Sequence, residues 1–202
     1  MAGETRALGD DFLAALRDLV QLLQSANRSG VLIGGIAVGL HGYPRATADI
    51  DMVMSGAGID LAKFFEQARL AGFEPRVADP ADFARRTYVL LLKHSATGIP
   101  VDISLAFTPF ELEVIDSAVF VMLPTVSAPV ARPEDLIIMK CVAQRPIDWA
   151  DIRELYRLHA NQIDLARVRY WVEQFGEALG EPDLWARVAQ TLVPDAPHEH
   201  SQ

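Results

Sequence analysis

An apolar run closed by two glycines, with an Asp-x-Asp pair after a spacer of thirteen residues, leaves this chain few ways to fold between residues 31 and 54. Val31-Leu32-Ile33 has glycine on both sides and predicts a buried strand. Gly34 and Gly35 follow, and residues 36–41 predict a helical turn or two, stopped by Gly42 and Pro44. Without Cβ atoms the backbone at Gly34 and Gly35 approaches a ligand closely, and the start of the next helix turns free N–H groups toward an anion. Residues 49–54 predict a second strand, in which the period of two sends Asp49 and Asp51 to the same face. Two carboxylates that close repel unless a cation lies between them, and a hard divalent ion shared with substrate phosphates meets that need. The plainer reading keeps both aspartates on the wet face of an edge strand and gives the Gly-Gly turn no ligand.

A third acid adds weight to the site. Asp102 lies between Val101 and Ile103 in an otherwise apolar strand, so it faces the same way as Ser104. If that strand adjoins residues 49–54, three carboxylates converge over the Gly-Gly turn. Three acids hold two divalent ions about 3.5–4 Å apart, the arrangement used for in-line phosphoryl transfer.

Elsewhere the apolar spacing predicts helices over residues 11–24 and 59–71 and strands over 73–77, 87–93, 101–106, 119–123 and 126–130. Thr108, Pro109 and Glu111 spell a capping box opening a short helix. From about residue 131 the pattern is helical only, over 133–143, 149–159, 165–179 and 183–192. The expected fold class is α+β: a short mixed sheet flanked by helices, then a C-terminal helical subdomain. The expected boundaries are 1–131 for the core, 132–193 for the helical part and 194–202 for a frayed tail.

Composition excludes several classes. The longest apolar runs fall short of the roughly 20 residues of a spanning helix, so no membrane is expected. The first residues show no basic stretch leading into an apolar one, so no secretory signal is expected. A single Cys141 suits a reducing compartment, and the expected location is the cytoplasm. The net charge of −9 opposes a general nucleic-acid coat. Lysine occurs only at Lys63, Lys93 and Lys140, which makes Lys140 on the helix at 133–143 worth noting. Cys141 beside it has the ordinary reading of a buried, inert thiol.

Taken together, Ile33-Gly34-Gly35, Asp49-Ile50-Asp51 and Val101-Asp102-Ile103 resemble the signature of the nucleotidyltransferase superfamily, the DNA polymerase beta-like fold. His41-Gly42, the run Arg45-x-Thr47-x-Asp49, and Lys140 followed by Arg145, Asp148 and Asp151 are similar to its AbiEii and MenT-like toxin branch. The resemblance implies a Mg²⁺ or Mn²⁺ pair on Asp49, Asp51 and Asp102, with Asp102 also helping to activate the acceptor hydroxyl. It implies an NTP whose phosphates meet Gly34, Gly35, Arg45, Thr47 and Lys140, and an orienting or acceptor-recognising role for Asp148 or Asp151. Many members carry Ser where this chain has Gly35, which here leaves only backbone N–H groups.

The expected reaction moves a nucleoside monophosphate from an NTP to a hydroxyl of tRNA, protein or a small molecule, with release of pyrophosphate. A toxin role with a cognate antitoxin belongs to the same expectation. One rival is a catalytically silent, nucleotide-binding regulatory or antitoxin-like protein on the same fold. A second rival, a structural protein with merely superficial carboxylates, requires Asp102 to lie far from Asp49 and Asp51.

Overall fold

The structure, a computed structural model, describes residues 9–192. The tail expected at 194–202 lies outside the described residues. The chain divides after Arg132 into two compact units.

The first unit is a mixed seven-stranded sheet with five helices among its described residues. In chain order these are α1 (Asp10–Ser25), β1 (Gly30–Leu32), α2 (Gly34–Leu40), β2 (Ile50–Ser55), α3 (Leu61–Leu70), β3 (Phe73–Pro75) and α4 (Pro80–Thr87). Then come β4 (Val89–His94), β5 (Pro100–Ala106), α5 (Pro109–Asp116), β6 (Val119–Met122) and β7 (Ser127–Val130). The strand order is β3-β4-β5-β2-β1-β7-β6. β2 runs parallel to β5 and β1 parallel to β7, while the remaining neighbours are antiparallel.

Register explains the core. Ile50, Met52 and Met54 of β2 stand opposite Val101, Ile103 and Leu105 of β5. Leu90 and Leu92 of β4 extend the same apolar layer, and all eight side chains are buried. Fully burying one such side chain contributes about 1.5–3 kcal/mol. α1 presents an apolar stripe of Phe12, Leu16, Leu19 and Leu23 at helical spacing. Its Asp18 reaches the buried His94 of β4, Nε2 to Oδ2 at 3.2 Å. α5 opens as its sequence predicts: the Glu111 N–H donates to the Thr108 hydroxyl at 3.2 Å and the Thr108 N–H to Glu111 Oε2 at 3.0 Å.

Two differences from the sequence expectation have plain causes. α4 occupies residues expected to be a loop leading into a strand at 87. Of its eight residues only Ala84 is buried, so no apolar period announces it, while Pro80 suits the first helical turn. β2 begins at Ile50, so Asp49 stays in the preceding bend, where its carboxylate takes the Thr47 hydroxyl at 2.9 Å, and the strand period expected to set it on the Asp51 face does not reach it.

The second unit is helical: α6 (Pro133–Ala143), α7 (Pro146–His159), α8 (Leu165–Leu179) and α9 (Leu184–Leu192). Asp135 of α6, fully buried, accepts from Arg167 Nη1 of α8 at 2.6 Å. The Arg187 guanidinium of α9 lies over the Trp149 ring of α7. No helix among the described residues is long and apolar enough to cross a membrane.

Candidate active site

Four side chains of the sheet stand in one transverse row. Asp51 of β2 and Asp102 of β5 are partners in the parallel register. Leu91 of β4 is the antiparallel partner of Asp102. One residue beyond β3, the Arg76 N–H donates to the Leu91 carbonyl at 2.9 Å. On the other flank the Ile33 N–H donates to the Asp51 carbonyl at 3.0 Å. Opposed residues share a face, so Asp51 and Asp102 stand side by side, turned away from the layer of Ile50, Met52, Val101 and Ile103. Like charges placed so are destabilising unless compensated. Here the Arg76 guanidinium spans Leu91 and pairs with Asp102 Oδ1.

The turn between β1 and α2 is shaped around Asp51. Gly34 has φ +65°, and a β-carbon on it would lie 2.0 Å from Asp51 Oδ2. Only a residue without a side chain allows that carboxylate its position. At Gly35 an added β-carbon would lie 3.1 Å from Thr47 Oγ1 and 3.3 Å from Arg45 Cζ. The Thr47 hydroxyl donates to Asp49 Oδ1 at 2.9 Å. Gly34, Gly35, Arg45, Thr47, Asp49, Asp51 and Asp102 therefore gather in the first unit, with all three carboxylates half-buried. His41 caps the C-terminus of α2, its Nε2 2.7 Å from the Ala131 carbonyl.

The remaining site candidates form a group in the second unit. Lys140 of α6 is 4% exposed. Its Nζ lies 3.2 Å from Asp148 Oδ1 and 2.6 Å from Asp151 Oδ2, both on α7. Asp148 also accepts from the Arg145 N–H at 3.0 Å and from Arg145 Nε at 2.7 Å. Burial pushes the Asp148 carboxyl up, but the Arg145 hydrogen bonds and the Lys140 charge outweigh it and hold it below the ordinary carboxylate value. Burial pushes the neighbouring Cys141 thiol up to about 12, so it stays protonated at neutral pH.

Among the described residues no three acidic, histidine or cysteine side chains enclose a ready-made cation cage. Asp102 is engaged by Arg76 and Asp49 by Thr47. By ligand type the group fits a hard divalent cation: carboxylate oxygens from adjoining strands, set against backbone that carries no Cβ.

The family model described as "Nucleotidyl transferase of unknown function (DUF2204)" matches residues 12–182. The chain belongs to this family. This nucleotidyl transferase shares its fold with several solved structures. The antibiotic-resistance factor ANT(2'')-Ia is 16% identical at a TM-score of 0.58, over 89% of this chain and 99% of that one. An antigenic nucleotidyltransferase-like protein from Paracoccidioides brasiliensis is 18% identical at a TM-score of 0.54, over 96% and 99%. The lincomycin-bound lincosamide antibiotic adenylyltransferase LnuA is 14% identical at a TM-score of 0.51, over 75% and 98%. No curated protein matches the sequence.

One residue of the transferase's row is not announced by its sequence. Arg76 belongs to no motif, and only the sheet order brings it to Asp102. Two adjacent cations, Arg85 and Arg86, lie exposed in the last turn of α4, and Arg86 pairs with Asp82 of the same helix at 3.0 Å.

Proposed function

We propose that this nucleotidyl transferase moves a nucleoside monophosphate from an NTP to an acceptor hydroxyl at the Asp49, Asp51 and Asp102 face of its first unit. The observation that carries the reading is the pairing of Asp51 with Asp102 in register on parallel strands, directly against Gly34. The acceptor oxygen forms a bond to the α-phosphorus, the bond from that phosphorus to the β-bridging oxygen breaks, and pyrophosphate leaves. Asp49, Asp51 and Asp102 would hold Mg²⁺ or Mn²⁺, which when bound neutralises charge on the α-phosphate and lowers the pKa of the acceptor hydroxyl. The protein's own share is mainly positioning. Half-buried Gly34 would turn its backbone toward the triphosphate, Gly35 lies buried behind it against Thr47, and Arg45 would supply a cation beside them. The Thr47 hydroxyl, close to Gly35, would give a phosphate bound there a hydrogen-bond partner. Asp102 would take the acceptor's proton. Lys140 belongs to this proposal through the resemblance alone; its buried pairing with Asp148 and Asp151 supports a role in tying α6 to α7.

For the acceptor, the net charge of −9 favours a small hydroxylated compound over tRNA. In the AbiEii- or MenT-type version of the proposal, the acceptor is tRNA or protein and a cognate antitoxin is the partner. The lone Cys141 supports a reducing, cytoplasmic setting. One observation favours the silent nucleotide-binding alternative: Asp102 is already occupied by Arg76.

Incubation with each α-labelled NTP, Mg²⁺ or Mn²⁺, and tRNA, the protein itself or small hydroxylated compounds decides between them. The wild type is expected to label one pool, and Asp51→Asn to lower that transfer by about 1,000-fold or more. Undiminished turnover in the variant would sink the proposal. Metal-dependent NTP binding without transfer to any pool would favour the silent protein.

A further inference from the structure

The row Arg76, Leu91, Asp102, Asp51 places a cation and two carboxylates at one level of the sheet. The Arg76–Asp102 pair differs in kind from the ion pairs of the second unit. Lys140 with Asp148 and Asp151, and Arg167 with Asp135, involve carboxylates with no exposed side-chain surface. Arg76 and Asp102 keep 32% and 36% of theirs. The pair is not needed to fix β3, which is hydrogen-bonded to β4 from Phe73 to Pro75 and continued by the Arg76 N–H. A solvent-reached pair of this kind is weak and exchangeable. It still answers a need, because adjacent carboxylates in register repel when nothing neutralises them.

We propose that Arg76 is a resident counter-ion of Asp102 that a divalent cation displaces. This rests on the reading that Asp49, Asp51 and Asp102 hold such a cation. Without the ion, the guanidinium lies on Asp102 and offsets the repulsion between Asp102 and Asp51. Uptake of the ion replaces one neutralising charge by another, and the guanidinium leaves the carboxylate. Arg76 thereby sets the ion concentration at which the site fills: every ion bound at Asp102 does so at the expense of the Arg76 pair.

The test uses the full chain without nucleotide, titrated with Mn²⁺ while free Mn²⁺ is read by electron paramagnetic resonance and thermal melting is followed with and without the ion. Wild type, Arg76→Gln, Arg76→Lys, Asp51→Asn and Asp102→Asn are compared. Arg76→Gln is expected to bind Mn²⁺ about two- to fivefold more tightly than wild type, the range a weak surface pair allows. It is also expected to show the larger Mn²⁺-dependent rise in Tm. Arg76→Lys, which keeps the charge, should bind as wild type does. Asp51→Asn and Asp102→Asn should both bind more weakly. Wild-type binding that needs Asp51 and Asp102, joined to unchanged or weaker binding in Arg76→Gln, overturns the counter-ion role and leaves the metal site standing. Absence of Mn²⁺ binding in both wild type and Arg76→Gln, with intact melting, overturns the metal site and this inference together.

Discussion

At Gly34 a β-carbon would have to share space with the Asp51 carboxylate, 2.0 Å from its Oδ2, in a backbone conformation of φ +65° that side chains disfavour. The two constraints act on different quantities. The left-handed backbone costs an alanine about 1–2 kcal/mol of stability, whereas eviction of the carboxylate would remove one of the three acids that the proposed function needs. Gly34→Ala is therefore expected to stay folded, melt several degrees lower and lose about 100-fold or more in transfer, the scale of a misplaced catalytic group. Gly39, five residues along the same helix, supplies the contrast, since nothing lies within 4 Å of a β-carbon added there. Gly39→Ala should keep full transfer and gain up to about 1 kcal/mol, because alanine is the better helix former. Melting curves and labelled-NTP turnover on the two variants separate the glycine required by the site from the one that merely sits in a helix. Equal behaviour would show that Asp51 does not depend on the turn.

At the level of elements, α6 and α7 are joined by Lys140 between Asp148 and Asp151. The Asp148 carboxyl is held below its ordinary value in the folded chain. A carboxylate depressed in this way stabilises the fold fully above its unfolded pKa of about 3.9, and that contribution is lost as pH falls through the lower folded value. Asp148→Asn has no such contribution to lose. The Tm difference between wild type and Asp148→Asn is expected to be widest near neutral pH and to shrink as pH falls below about 4. A difference that holds constant into acid would mean the pair contributes through shape rather than charge. The same elements show what the sequence makes legible. Long apolar periods announce α1, α8 and the strands of the layer around Ile103, because burial of one face leaves a spaced record. α4 leaves none, with Ala84 alone buried. Asp49, Asp51 and Asp102 are recognisable from their motif, and the parallel register then sets Asp102 beside Asp51. Arg76 is illegible from sequence because its partner lies across Leu91, and the pairing of β3 with β4 is a long-range fact.

Across the whole molecule the balance of 18 basic and 27 acidic residues bears on the acceptor. Many of the arginines are neutralised where they stand: Arg17 by Asp18 on α1, Arg86 by Asp82 on α4, Arg157 by Glu154 on α7 and Arg169 by Glu173 on α8. Such pairs contribute little to stability, but each cancels a positive charge that a phosphate backbone would seek. An RNA acceptor making 6–10 phosphate contacts would lose about 1,000- to 100,000-fold in affinity between 50 and 200 mM salt, through the counterions it releases. A small acceptor, even a cationic one drawn to the acidic surface, meets only the ordinary screening of a few charges. Once labelling identifies the acceptor, its kcat/KM measured across that salt range is expected to change less than about tenfold. A steeper fall would reveal a strip of cations matched to nucleic acid and would move the acceptor to RNA, against the molecule's average charge.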